Sequence, residues 1–396
     1  MQCSLFGETI TVYTCLLKEV STSYLTIQTN ARSVNHVPNL TKIQEPSGVA
    51  LVLKHNEEQS LLYASPDADN ARRLYRSQHP TAICALKCMD GRVNLSLITN
   101  TPTGLIQPWR NLGGRFNFGW GHFYELIRGW QRRTLDEGRN GMILLTYHFS
   151  KSNPQSGCKG WGYDTEAAIA HTEALRLQCE RIFGSETLCP VRIGIETDED
   201  ALIIHGRNGE VLDMGAETNL SIAELELRLF ALFPHVHQQI IFDLLPLLTG
   251  NIEHINEVRL TGRSAAEADH REWVLAVGRG FDWLHLHNTA LIVGPFADEL
   301  SVPIQTAAGL LQSNVASGAT DPKERGIVIL AGRPAYTESG SEWEGAIVKA
   351  QYLAAKTMKV IQEHQPGLAE YAYPLVGTIS MSTRRLHRQP FDPEAA

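Results

Sequence analysis

The feature that most constrains the fold is the run Gly141-Met-Ile-Leu-Leu-Thr-Tyr, which ends at His148. It has no charge and no polar–apolar alternation, so it reads as a strand covered on both faces. Strands of that kind belong to parallel sheets flanked by helices. Thr81-Ala-Ile-Cys-Ala-Leu-Lys, ending at Cys88, and Val191-Arg-Ile-Gly-Ile-Glu-Thr read the same way. Helical stretches lie between them: one around Ala71-Arg-Arg-Leu-Tyr-Arg, one from His122 to Arg133, and one from Thr165 to Phe183 with Asp164 as its N-cap. Strands alternating with helices predict an α/β fold with a parallel sheet.

The pattern returns further along. Trp273-Val-Leu-Ala-Val-Gly takes the place of the strand before Cys88, and Gly326-Ile-Val-Ile-Leu-Ala-Gly that of the strand before His148. A polar loop and a helix from Glu342 to Glu363 follow, in the same order as in the first half. The expectation is an internal repeat, with Gly278 and Gly332 standing about where the first copy has Cys88 and His148. The segment 219–258, around Ala223-Glu-Leu-Glu-Leu-Arg-Leu-Phe, reads as a helical connection between the halves. The division is residues 1–71 as a small accessory region, 72–215 as the chemistry-bearing domain and 216–396 as a degenerate copy without metal ligands. In the first region, Thr9-Ile-Thr-Val-Tyr and Gly48-Val-Ala-Leu-Val-Leu-Lys read as short strands.

Composition removes several classes. With 35 basic against 43 acidic residues the net charge is -8, a poor balance for gripping a phosphate backbone, so no nucleic-acid partner is expected. No run reaches 18 apolar residues, so no membrane span is expected. The first residues lack a basic stretch followed by an apolar core, and the seven scattered cysteines form no disulfide framework. Both point to a reducing, cytoplasmic setting in which thiols remain free for metal.

Cys88 and His148 each stand at the C-terminal end of a predicted buried strand, where open α/β sheets place their sites. Cys158 lies on the loop leaving the second of these strands and can fold back. Two thiolates and an imidazole suit Zn2+, and three protein ligands leave a fourth position open, as in catalytic sites. Asp90 and Arg92 follow Cys88 at alternate positions. The planar fork of Arg92 can grip both oxygens of Asp90, keeping it ionised and off the metal, free to orient a zinc-bound hydroxide. Two thiolates cancel the charge of the ion, so the field of Arg92 and the loop amides around Gly157 and Gly160 must help acidify the bound water.

These residues resemble a known family. Cys88-Met-Asp90-Gly-Arg92 is similar to the Cys-x-Asp-x-Arg motif of the β-class carbonic anhydrases, and Trp109-Arg-Asn-Leu-Gly-Gly-Arg-Phe-Asn to the loop that follows it there. Val191-Arg-Ile-Gly-Ile-Glu-Thr, running on to His205-Gly, looks like the last sheet segment, so the resemblance covers roughly residues 72–215. It implies zinc on Cys88, His148 and Cys158, with Asp90 and Arg92 as the dyad serving the zinc water. The implied reaction is reversible hydration of carbon dioxide to bicarbonate and a proton. Most members place two residues between the His and the second Cys, whereas nine intervene here, Phe149 through Gly157. That gap and a degenerate second copy are similar to the carboxysomal shell branch, whose chains are pseudo-dimers. The resemblance thus implies a homodimer, and a bacterial microcompartment shell or an enzyme as a further partner. The rival readings are a zinc hydrolase of carbonyl sulfide or carbon disulfide using the same site, and a non-catalytic shell or scaffold protein that keeps the fold.

Other features carry less. His235-Val-His237 and His285-Leu-His287 read as partly buried polar residues, the first pair in a helix and the second near a strand end, Asp198-Glu199-Asp200 as a solvated turn, and Gly278-Arg-Gly280 as an altered strand-end loop. Cys84, Cys179 and Cys189 read as core.

Overall fold

The computed structural model describes residues 45–396 apart from 187, 263–269 and 286–288. The chain is mixed α/β, with two sheets dominated by parallel pairing. The first sheet has the order β2-β1-β3-β4-β5-β6, from β1 (Ala82–Cys88), β2 (Ile106–Asn111), β3 (Gly141–Phe149), β4 (Leu188–Glu196), β5 (Ala201–His205) and β6 (Val211–Asp213). The second has the order β11-β10-β9-β7-β8, from β7 (Val274–Gly278), β8 (Ala290–Val293), β9 (Ile327–Ala335), β10 (Ala372–Ser380) and β11 (Leu386–Gln389). Read from its other edge, the second order repeats the first five strands of the first sheet. In each sheet the central strands pair in parallel and the chain then turns back into an antiparallel hairpin, β4–β5 in one and β10–β11 in the other. β1, β3 and β4 are buried nearly end to end, as the uninterrupted apolar runs require.

Counting helices of more than two turns, α1 is Ser47–Ala64, α2 Pro66–Gln78, α3 Gly121–Asp136, α4 Thr165–Phe183, α5 Ile222–Leu232, α6 Gln238–Thr261, α7 Ser301–Ala316 and α8 Gly340–His364. Asp164 caps α4, its carboxylate accepting from the Ala167 amide at 3.0 Å. Proline at the first position opens α2, with the Ser65 hydroxyl accepting from Ala68 N.

Three sequence expectations need correction. The Gly48–Lys54 run is not a strand but the start of α1. Its buried positions Val49, Val52, Asn56 and Ser60 recur at helical spacing, and a short apolar run cannot by itself distinguish the two periods. Thr9–Tyr13 lies outside the described residues. The Gly- and Asn-rich segment that begins at Trp109 starts inside edge strand β2 rather than in a loop, and Pro108 masks that strand as a break. His235 and His237 are not inside a helix: His235 has φ 69°, and His237 caps α6, its Nδ1 accepting from Gln239 N at 3.2 Å.

The helices cross over between the halves. α1 precedes the first sheet but packs on the second: the Asn56 side chain donates to Arg384 O (2.9 Å) and accepts from Leu386 N (2.8 Å). α6 precedes the second sheet but packs on the first: Asn251 donates to Asp200 O (2.9 Å) and accepts from Leu202 N (2.9 Å). Both asparagines grip the same two points of a hairpin, just after the residue with positive φ, Arg384 (65°) in one and Asp200 (57°) in the other. This correspondence fixes the register. Leu386 matches Leu202, so Ile379 matches Ile195 across the hairpins, and Pro334 then matches His148 across the parallel pairs. The same alignment sets Arg279 on Cys88. Gly278 and Gly332 lie one and two residues before these positions.

Candidate metal centre

Cys88 ends β1, His148 comes one residue before the end of β3, and Cys158 arrives on the loop beyond β3. All three are buried, and their ligand atoms lie within 4.8 Å of one another. The two sulfurs are 3.7 Å apart. Tetrahedral bonds of about 2.3 Å to one zinc would hold two sulfurs about 3.8 Å apart, so the spacing suits a shared ion. Among the described residues neither ring nitrogen of His148 has a hydrogen-bond partner, although the side chain is 2% exposed. A buried imidazole left unpaired is costly, and a metal ligand removes that cost. The residues present therefore fit zinc. Between the sulfurs, Cys88 is the one whose thiol is held well below the ordinary range, by the hydrogen bond from Cys158 and the nearness of His148, while Cys158 is pushed up by keeping the shared proton.

Two glycine-dependent contacts bring Cys158 into place. Gly113 and Gly114 follow β2 with φ 62° and 64°, a turn that L side chains resist. Gly160 lies against that turn so closely that a Cβ on it would stand 2.5 Å from Gly113 N. Trp161 Nε1 donates to Gly113 O at 2.7 Å, and the guanidinium of Arg115 stacks over the Trp161 ring. The Gly-Gly turn and the Cys158 loop are thus clamped together.

Asp90 and Arg92 form a buried pair beside the trio, with side chains 5% and 6% exposed. Arg92 Nη2 is 2.7 Å from Asp90 Oδ2, Nε is 3.1 Å from Oδ1, and the Arg92 amide also donates to Oδ1. Burial alone would raise the carboxyl pKa, but the Arg92 charge and the neighbouring His148 outweigh it and hold Asp90 well below the usual carboxylate range. Its Oδ2 sits 4.0 Å from His148 Nε2, facing the trio.

Several residues that support the pair were not singled out from sequence. Arg110, in the β2 strand, donates to Cys88 O (3.2 Å), Asp90 O (2.7 Å) and Val93 O (3.0 Å), tying down the motif backbone. The only sequence signal for it was its place in the Trp109–Asn117 segment. Lys87 Nζ donates to the same Val93 carbonyl, and burial holds its ammonium well below the ordinary value. Arg92 Nη2 also donates to Ser156 O (2.9 Å) and meets His270 Nε2 (3.2 Å). His270 in turn faces the buried Glu272 at 2.8 Å. His270 and Glu272 come from the second half of the chain, some 180 residues away, and nothing local could have pointed to them.

The remaining candidates have structural partners. Asp200 meets His254 (3.0 Å), Glu199 meets Arg259 (2.7 Å) and Asp198 accepts from Ser150 and Ser152, so the acidic turn is braced by the fold. His285 Nδ1 faces Asp282 O (3.2 Å), and His287 lies outside the described residues. Cys84, Cys179 and Cys189 are core.

In residue type and chain order the site has the makeup that the β-class carbonic anhydrase resemblance implies. The chain is similar to the carboxysome shell carbonic anhydrase of Parasynechococcus marenigrum, 28% identical over 265 residues that take in 56% of this chain and 45% of that protein. The chain thus spans less than half the length of that relative, and it resembles the carboxysomal branch in sequence. Among solved structures, the β-carbonic anhydrase CcaA matches over 38% of this chain and 94% of its own, at 16% identity and TM-score 0.24. No protein-family profile matches the chain. Among the described residues no helix is long and apolar enough to cross a membrane.

Proposed function

We propose that the chain is a zinc-dependent carbonic anhydrase, hydrating carbon dioxide to bicarbonate and a proton at the site of Cys88, His148 and Cys158. The observation that carries this reading is the buried Cys–His–Cys trio facing a carboxylate already gripped by its own arginine. When bound, zinc would supply Lewis acidity, making water nucleophilic at neutral pH and offsetting the charge that develops. The chain's own residues do the rest. Cys88, His148 and Cys158 would hold the ion. Asp90 stays ionised because Arg92 spends its positive charge there, so Oδ2 is a pure acceptor. It takes the hydrogen bond of the reacting water and turns a lone pair toward carbon dioxide. Arg110 and Ser156 fix the dyad so that this orientation is set before substrate arrives.

The matching strand orders, the exchanged helices α1 and α6, and the paired asparagines support descent from a duplication. On this reading residues 72–215 are the zinc-binding half and 216–396 a copy without metal ligands, the two forming a pseudo-dimer. Residues 1–71 then contribute α1 to the second half. The named relative supports an association with a carboxysome shell; a second copy of the chain and an enzyme partner belong to the same proposal.

Metal analysis of the purified chain, with stopped-flow hydration of carbon dioxide by wild type and Cys88→Ser, tests the proposal. About one zinc per chain and a rate lost in the variant are expected. Unchanged zinc and rate in Cys88→Ser would falsify the ligand assignment. Zinc with no hydration but turnover of carbonyl sulfide or carbon disulfide would select the hydrolase reading, and absence of both metal and turnover the scaffold reading.

A further inference from the structure

In the second half, the register puts Arg279 where the first half has Cys88, and Pro334 where it has His148. Around them is a cavity of about 690 Å³. It opens at the C-terminal ends of β7 and β9 and is walled on its far side by α3 and the β2 strand of the first half. The ion site of the first half is thus matched by an open chamber rather than by packed side chains.

The chamber is cationic. Five guanidiniums line it against three carboxylates, and the carboxylates are already engaged. Asp282 Oδ2 accepts from Arg384 Nε (2.9 Å), and Glu125 lies 3.4 Å from Arg128 outside the chamber. Glu342 accepts from Tyr336 N (3.2 Å) and Thr337 Oγ1 (3.0 Å). Arg279, Arg333 and Arg133 have no carboxylate within ion-pair distance among the described residues. Arg279 is instead held over the rings of Trp109 (5.7 Å) and Phe296 (5.9 Å), which fix its plane without neutralising it. Burial and the nearby charges of Arg333 and Arg133 push Arg279 down to about 10. The adjoining cleft shares Arg333 and carries Lys349, pushed down by burial and then by Arg333, and His122, pushed down by burial and then by Lys349, Arg333 and Arg279.

Like charges partly removed from water repel one another unless an anion joins them. Guanidinium forks match the spacing of oxygens on a tetrahedral oxyanion and hold it by paired hydrogen bonds. Several such forks around one chamber favour two negative charges over one.

We propose that this chamber is a binding site for a small dianionic oxyanion of the phosphate type, held by Arg279 with Arg333 and Arg133. The metal position of the second half has become an anion position, and the site is separate from the zinc centre.

The test is calorimetry and thermal melting of the full-length zinc-loaded chain with inorganic phosphate at pH 7.5, against chloride at matched ionic strength and against bicarbonate. One phosphate per chain is expected, with a rise in melting temperature that chloride does not give, and with bicarbonate at least about tenfold weaker. Arg279→Met and Arg333→Gln are each expected to weaken phosphate about tenfold or more while leaving zinc content unchanged. Arg333→Gln keeps the test decisive if loss of the stacked Arg279 harms folding. A phosphate effect no larger than that of chloride, or wild-type affinity in both variants, overturns the site. Bicarbonate binding as tightly as phosphate overturns the dianion assignment. Zinc content and carbon dioxide hydration in phosphate-free buffer report on the proposed enzyme separately, so the two proposals fail independently.

Discussion

Asp90→Asn separates what the buried pair does for stability from what it does for chemistry. The substitution keeps the shape but leaves a guanidinium that is 6% exposed without its carboxylate. Removing one partner of a buried ion pair costs about 3–5 kcal/mol. Here the Ser156 carbonyl at 2.9 Å and the His270–Glu272 pair remain beside Arg92, which sets the expectation near the lower end, about 3 kcal/mol. The double variant Asp90→Asn with Arg92→Met removes both charges and should return to within about 1 kcal/mol of wild type. Urea melts of wild type, both single variants and the double close the cycle. Turnover per bound zinc should fall at least about a hundredfold in Asp90→Asn and stay low in the double variant, because stability returns while the acceptor does not. Turnover recovering with stability would refute a chemical role for Asp90. A cost under about 1 kcal/mol for the single change would mean that the pair behaves as a surface bridge. The sign of the pH effect follows from the same geometry. The folded carboxyl titrates below its unfolded value of about 3.9, so the stabilisation is complete at neutral pH and is lost as pH falls through the acid range.

Gly160→Ala should weaken zinc retention about ten- to a hundredfold without unfolding the chain, since its Cβ would meet the Gly113 backbone at 2.5 Å and push back the loop that carries Cys158; competition with a chelator reads this directly. Asn56→Ala and Asn251→Ala should each cost about 2–4 kcal/mol in denaturant melts, by leaving buried hairpin groups without partners, and a large effect in only one of them would undo the correspondence between the halves. Cys84, Cys179 and Cys189 should resist alkylation at pH 8 in the folded chain when mapped by mass spectrometry. Burial pushes each thiol up, Cys189 to about 12, leaving about one thiolate in ten thousand there.

What could be seen in the sequence was whatever had a period or a chemical type. The unbroken apolar runs marked β1, β3 and β4, and Asp164 marked the start of α4, because burial on two faces and an N-cap each leave a local trace. Cys88, His148 and Cys158 stood out because thiolates and an imidazole at strand ends are unusual there, and the structure brings the three together. The elements that escaped depend on distant partners. Val49 and Val52 look strand-like until the second half supplies the surface that turns their run into a packed helix, with Gly48 admitting Arg325 O and the Trp273 ring where a Cβ would stand. Arg110 is one arginine among many until the motif carbonyls curl onto it. His270 has meaning only beside Arg92.

The site is in this sense the product of both halves. Cys88, Met89, Leu112 and Cys158 pack in the hydrophobic core formed by β7, β8 and β9, not in the cores of the first sheet. The motif backbone is stitched to β8 as well, with Gly91 N donating to Ala290 O (3.1 Å) and Ile292 N to Met89 O (2.7 Å). The second half thus supplies the floor of the ligand-bearing loop, and it brings His270 to Arg92. The nine-residue spacing between His148 and Cys158 has a similar explanation. The longer loop is pinned by Asp198 to Ser150 and Ser152, and by Glu196 to the Lys151 amide. So held, it delivers the Ser156 carbonyl to Arg92 before turning back with Cys158. The extra length thus adds a brace to the dyad, and so ties the nine-residue spacing to the carboxylate that the proposed function requires to stay fixed.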